Sequence, residues 1–356
     1  MQRILTRIGG PIMMGWISGR GTGPRPSVGE PGRAASVVSV FWREVRDAAA
    51  RLLRELTGPT RPQSPTSSAS TPATPRALVS LARLRLTDEV NRTLFDEYAA
   101  HRGTPRGEEE TGWAVLGLRD GDEAVALATL PAGAEREAGE AHVRFNSAAQ
   151  ALASRIVRQR DRRLTLLGVV HTHPGSLRHP SDGDYRGDSR WVGQLRGGEG
   201  VFGIGTADAK PGPVAGVAWQ PVPHRQCLDK LCLSWYALGE GDRNYRPLSV
   251  EITLGPDLAN PLRPVWGEVE EHADRLDRLA RQQAGVTFDV IHGRQKPALS
   301  VKVPLADTDE SVRIVLEGKE VRYYLARGAE VLAADLREAR VDQGLYLLLA
   351  ELAARD

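Results

Sequence analysis

The chain has 356 residues, 41% of them hydrophobic, which is enough for two domains or for one domain with extensions, and enough apolar material for a core. Basic and acidic residues nearly balance, 47 against 45 with a net charge of +2, so the whole chain is neither polycation nor polyanion. No apolar run approaches the ~20 residues that a membrane-spanning helix needs.

The charge is unevenly placed. Residues 1–76 carry 11 Arg, no Lys and 4 acidic residues, a net of +7, and the remainder carries a net of −5. Such a basic tail can meet acidic protein surfaces, nucleic acid or anionic lipid, or can reflect an Arg-rich coding bias; nucleic acid is not the expected partner. Residues 1–35, rich in Gly, Pro and Arg, read as disordered. Within them, 8–17 imitates a signal peptide, but Gly9, Gly10, Pro11 and Gly15 interrupt it and no A-x-A site follows, so export is not expected. In 36–57, Val38, Trp42, Val45, Ala49, Leu52, Leu53 and Leu56 share one helical face, and Gly58 and Pro59 end it. A low-complexity Pro/Ser/Thr linker fills 59–75. The first 75 residues are thus expected to form a basic extension with one amphipathic helix.

From 76 the pattern becomes globular. A strand is predicted over 77–86 and a helix over 87–101, capped by Thr87. Apolar runs at 113–119 and 123–130 flank Asp120-Gly121-Asp122 and predict a hairpin. A short strand at 142–145 is followed by a helix capped by Asn146 and reaching about Asp161.

The segment from Leu164 to Asp184 carries the chemistry. Leu164-Thr-Leu-Leu-Gly-Val-Val-His171-Thr-His173 reads as a buried strand, and on a strand residues i and i+2 point to the same side. Both imidazoles therefore leave one face at the strand end. Pro174, Gly175 and Pro180 make a turning loop, and Ser181-Asp-Gly-Asp184 reads as a helix start that carries Asp184 back toward the histidines. His171, His173 and Asp184 suit zinc, and three protein ligands leave a fourth position open, as catalytic zinc sites do. Asp182 is the next candidate should Asp184 not ligate. Asp182 and Asp188 otherwise read as helix-start carboxylates, and His179 as a loop residue.

Further strands are predicted over 201–205 and 214–220. Cys227 and Cys232, a C-x4-C pair without a second pair, are no zinc motif and are expected as free, partly buried thiols in a reducing cytoplasm. Trp235, Tyr236 and Tyr245 read as packing residues. After Gly255-Pro256 the composition shifts. A helix over 265–283, strands over 286–291, 298–305, 311–316 and 321–325, and a closing helix over 341–355 predict a small α+β accessory domain, 255–356. His272 and His292 there read as surface residues.

His171-x-His173-x7-Ser181-x-x-Asp184 resembles the motif of the JAMM (JAB/MPN) zinc metallopeptidases, and the resemblance covers about half of the chain. Upstream, Glu110-Thr-Gly112-Trp-Ala-Val-Leu116-Gly117 is similar to the family's E-x-G-G-x-L-x-G setting, with Trp113 where the second glycine stands. Glu108 and Glu109 adjoin, and Glu110 is favoured because it directly precedes the apolar strand. The resemblance implies an α+β fold of the MPN/JAB (cytidine-deaminase-like) kind over 76–254, a mixed sheet flanked by helices, with one zinc ion at the sheet edge. It implies that Glu110 takes a proton from the attacking water and passes it to the departing amine, and that Ser181 donates a hydrogen bond to the oxyanion. The implied substrate is a ubiquitin-like protein cut after its C-terminal tail, in precursor processing or deconjugation. Expected companions are activating and conjugating enzymes, in a bacterial cytoplasm and in some cases an antiviral pathway. A sulfur-carrier adduct or another peptide as substrate, and a non-catalytic MPN scaffold, are the alternatives.

Overall fold

In a computed structural model of the chain, described for residues 78–353 apart from 135–136, 140–141, 146, 211, 306–309 and 328–329, ten strands form one mixed sheet and five form a second. The helix expected over 36–57, the linker and the Asn146 cap lie outside the described residues.

The first sheet contains β1 (Arg83–Thr87), β2 (Gly112–Asp120), β3 (Glu123–Pro131), β6 (Thr165–Thr172), β7 (Glu199–Thr206), β8 (Trp219–Val222), β9 (Arg225–Leu228), β10 (Leu231–Gly239), β11 (Arg246–Pro247) and β12 (Ser249–Thr253). Their order is β12-β1-β3-β2-β6-β7-β10-β9-β8, with β11 beside β10. β1 runs parallel to both neighbours, as β6 does to β7; the other pairings are antiparallel. β4 (Glu137–Gly139) and β5 (His142–Arg144) form a separate small pair.

Helices cover both faces, as the period of two requires of a sheet apolar on each side. α1 (Asp88–Arg102) lays Val90, Leu94, Phe95 and Tyr98 against Leu84, Leu86, Trp113, Val115, Val170 and Leu233. Thr87 caps it as predicted, accepting from Val90 N, and its hydroxyl also donates to Pro256 O. On the opposite face α2 (Ser147–Arg158) and α4 (Trp266–Gln282) cover Ala114, Leu116, Ala128, Leu130, Leu166 and Phe202. The short α3 (Asp182–Asp188) follows the loop after β6.

The second sheet is an antiparallel meander of β13 (Thr287–His292), β14 (Pro297–Pro304), β15 (Glu310–Glu317), β16 (Glu320–Arg327) and β17 (Glu330–Ala333), followed by α5 (Val341–Ala353). Its Leu299, Val301, Val312, Ile314 and Tyr323 join the same apolar cluster as α2 and α4, so a continuous core underlies both sheets.

Three of the expectations change. Residues 79–82 do not extend β1: Val79 N and Ala82 N bond the β2–β3 turn, and Leu81 N donates to Glu199. The strand expected over 214–220 begins only at Trp219, because Gly216 at φ +70° turns the chain and leaves Val214 and Val217 exposed. His272 is buried rather than superficial, since it shares the inward stripe of α4 with Val269, Ala273 and Leu276. His292 is exposed, as expected.

The cysteines are not free thiols; Cys227 and Cys232 form a disulfide. β9 and β10 are joined by a two-residue turn, Asp229-Lys230, with Asp229 in the left-handed region at φ +52°. Leu228 and Leu231 then pair, and Cys227 and Cys232 face each other at the next position with Cα atoms 4.2 Å apart. That closeness is near the spacing of directly opposed residues in a non-hydrogen-bonded antiparallel pair. Thiol alkylation of the folded protein before reduction is expected to label neither cysteine, and alkylation after reduction and unfolding to label both. Leu94→Ala, at a fully buried position, should lower stability by about 3 kcal/mol in urea unfolding.

Candidate metal centre

β2 and β6 lie side by side at the middle of the first sheet, and Gly112 stands directly opposite His171. A side chain there has no room: a Cβ at Gly112 would come within 2.5 Å of Val170 O and 2.7 Å of the Phe145 ring. His171 is the last residue but one of β6, Thr172 N donates to Thr111 O (2.9 Å), and His173 N donates to Gly205 O (2.8 Å). The strand geometry thus holds across the whole His-Thr-His triplet, and both imidazoles leave the same face.

The ring nitrogens converge. The two Nε2 atoms are 3.0 Å apart, His171 Nε2 is 3.2 Å from Asp184 Oδ1, and His173 Nε2 is 3.4 Å from Asp184 Oδ2. One ligand atom from each of the three residues lies within 4.8 Å of the others. His173 Nδ1 donates to Leu177 O (2.7 Å), which leaves Nε2 as a lone pair facing the cluster. The loop supplying that carbonyl is tied down by Arg178, which pairs with Asp208, and by Tyr236, whose hydroxyl donates to Arg178 O.

Asp184 is carried by α3, whose start is a reciprocal cap. Asp184 N donates to Ser181 Oγ (3.2 Å), and Ser181 N donates to Asp184 Oδ2 (2.6 Å). The Ser181 hydroxyl donates to the same Oδ2 (2.8 Å). The serine side chain therefore does the capping itself and points at a ligand carboxylate.

Of the three adjoining glutamates, Glu110 is the buried one. Glu108 is exposed and pairs with Arg102, and Glu109 pairs with Arg106. Glu110 N donates to Gly139 O, and its carboxyl lies within the electrostatic reach of His171, His173 and Asp184. Burial raises its pKa, the two histidines oppose that, and Asp184 adds to it. Burial also works against charge on His171, yet Asp184 beside it, with Glu110 and Asp188, lifts its pKa to about 9. Asp184 is held well below the usual carboxylate range: burial disfavours its charge, but His171 and the hydrogen bonds from His171, His173 and Ser181 outweigh it. The carboxyls of Asp184, Glu110 and Asp188 thus favour positive charge at His171, and a divalent cation between the imidazoles would supply it. Two imidazole nitrogens and a carboxylate suit zinc.

Asp182 is exposed and His179 lies exposed in the loop. Asp188 ends α3 rather than starting it, and it is buried, accepting from Tyr245 Oη (2.7 Å) and Trp191 Nε1 (3.2 Å). Burial lifts it to about 7, against the Tyr245 hydrogen bond. Sequence reasoning missed this carboxylate beneath the site and made Tyr245 a packing residue alone; the i,i+4 spacing from Asp184 was the available signal.

Residues 92–221 match the family described as prokaryotic homologs of the JAB domain, a span that takes in Glu110, His171, His173, Ser181 and Asp184. No curated protein matches the chain. Among solved structures, that of protein DSY2949 from Desulfitobacterium hafniense is similar at 16% identity and a TM-score of 0.32, over 49% of this chain and 95% of that one.

Zinc content measured after dialysis should be stoichiometric for the intact chain and should fall in His171→Ala, His173→Ala and Asp184→Ala. Full occupancy in all three variants would mean that zinc binds elsewhere.

Proposed function

Residues 92–221 of this chain are a JAB domain of the prokaryotic kind, and from that premise we propose that the protein is a zinc-dependent peptidase or isopeptidase acting after the C-terminal tail of a ubiquitin-like modifier. The observation that carries the reading is the convergence of His171 Nε2, His173 Nε2 and the Asp184 carboxylate, with the buried Glu110 carboxyl beside them. Three ligands and an adjacent acid–base group are what hydrolysis needs, whereas a structural site closes its coordination with a fourth protein ligand.

Zinc, when bound, supplies Lewis acidity that polarises the scissile carbonyl and lowers the pKa of water. The rest is done by the chain. Glu110, whose burial raises its proton affinity, accepts the proton of the attacking water and delivers it to the departing amine. The Ser181 hydroxyl, held at Asp184 Oδ2, rotates about its C–O bond to donate to the oxyanion of the tetrahedral intermediate. His171 and His173 would each offer a ring nitrogen to the metal, the second in the tautomer set by Leu177 O. The modifier as substrate, and activating and conjugating enzymes as companions, follow from the family resemblance, and the described residues contain no helix long and apolar enough to cross a membrane.

The test uses a ubiquitin-like protein fused through its tail to a reporter, with modifiers encoded beside this gene. Cleavage should stop with a chelator and resume on adding zinc. Glu110→Gln should lose turnover by about 10²-fold or more while keeping zinc. Ser181→Ala should slow turnover by about 10²-fold with metal retained, the usual loss for one oxyanion donor. Chelator-insensitive cleavage, or full activity in Glu110→Gln, would overturn the reading.

A further inference from the structure

β2 and β6 pair as an antiparallel ladder up to Gly112 and His171, and the ladder then ends in an unusual way. At the next pair Thr172 N donates to Thr111 O (2.9 Å), but the reciprocal donor, Thr111 N, goes to the side-chain Oγ1 of Thr172 (2.9 Å) instead of a backbone carbonyl. The hydroxyl in turn stands 3.5 Å from Thr111 O, the far limit for donation. Glu110 N, like the carbonyl of Gly112, faces the other edge of the strand, where it donates to Gly139 O. Thr111 is therefore held to Thr172 by one backbone bond and one side-chain bond, immediately after Glu110 in the chain.

We propose that Thr172, the residue between the two histidines, is a positioning residue that aims Glu110 at the metal site through its hydroxyl bond to Thr111 N. The proposal rests on the peptidase reading given above. Thr172 points away from the histidines, toward α1, because neighbours on a strand alternate. Its methyl and the ring of Tyr98 both lie over Gly205, where a Cβ would stand 3.0 Å from Thr172 Cγ2 and 3.2 Å from Tyr98 Cε1. A β-branched side chain lodged in this way has a single rotamer available. Thr172 is 2% exposed and Thr111 8%, so water does not readily replace the bond. One residue thus serves two ends: its backbone carries the ligands on either side, and its hydroxyl holds the neighbour of the acid–base group.

Thr172→Val and Thr172→Ser separate positioning from packing. Valine keeps the shape and removes the acceptor; serine keeps the acceptor and removes the methyl. Turnover should fall about a hundredfold in Thr172→Val, the scale of a displacement near 1 Å, with KM unchanged and zinc stoichiometric. Thr172→Ser should restore it. In a Glu110→Gln background Thr172→Val should cost nothing further, because the effect passes through Glu110. The visible spectrum of the cobalt-substituted protein should change alike in Thr172→Val and Glu110→Gln, and not in Thr172→Ser. Wild-type turnover in Thr172→Val, or equal losses in both variants, would overturn the proposal and leave the peptidase reading standing. If the intact chain binds zinc but cleaves nothing, the peptidase reading fails, and amide exchange decides the rest. Protection at Thr111 and Glu110 lost in Thr172→Val and kept in Thr172→Ser sustains the positioning role; protection unchanged in Thr172→Val refutes it.

Discussion

The site depends on the pairing of β2 with β6. The two strands are central in a sheet covered on both faces, and a one-residue slip would turn every side chain to the wrong side. With Gly112 opposite His171, Glu110 just before β2 and the two histidines at the end of β6 are about 60 residues apart in sequence yet arrive at one end of one face. The apolar faces of β2 and β6 enforce that register. Ala114 and Leu116 belong with α2 and α4, and Trp113 and Val115 with α1. The core that makes the sheet stable is therefore also the device that aligns the chemistry.

What that alignment produces is electrostatically one-sided. Glu110, Asp184 and Asp188 stand around two imidazoles in a largely buried pocket; His171 acts on all three carboxyls, and Asp184 acts on the other two. A buried arrangement of this kind is costly unless positive charge enters it. Part of the cost is met by fixed partners: Ser181 for Asp184, Tyr245 and Trp191 for Asp188. The two facing ring nitrogens crowd each other at 3.0 Å and share the Asp184 carboxylate, and a cation among them would engage all three groups together. Function and fold oppose each other locally here, and the surrounding sheet holds the conflict in place.

Much of this was legible in the sequence. An H-x-H on an apolar run has a single geometric consequence on a strand, and Ser181 at the start of a helix has another, so the convergence of His171, His173 and Asp184 could be read from spacing. Thr87 as a cap and the turn at Gly121 follow from equally local rules. What local rules do not carry is pairing over long range. Asp188 meets Tyr245 across 57 residues, and nothing near either predicts it. The disulfide was hidden for a subtler reason. C-x4-C was weighed as a metal motif and rejected, yet with a two-residue turn the same spacing puts the cysteines opposite each other one pair beyond the turn. The edge strand β17 is exposed along its length and has no alternation to read. The second sheet was expected as an accessory unit; that it shares a core with α2 and α4 is a matter of packing, which composition alone does not express.

The departure at Trp113 from the family's glycine has the same explanation as the rest of the site. Position 113 lies one residue beyond Gly112, so its side chain points away from the histidines, into the layer under α1. There Trp113 is 2% exposed, and its indole N–H donates to Glu97, which also pairs with Arg263. Arg263 in turn reaches Thr129 Oγ1 and Asp257. A large residue is accommodated at 113 because α1 and the 260–265 turn provide a polar partner and an apolar wall; at 112 the same residue would collide with Val170 and Phe145. The period of two thus decides which of two adjacent positions must stay small against Val170 and Phe145 and which is free to become part of the core.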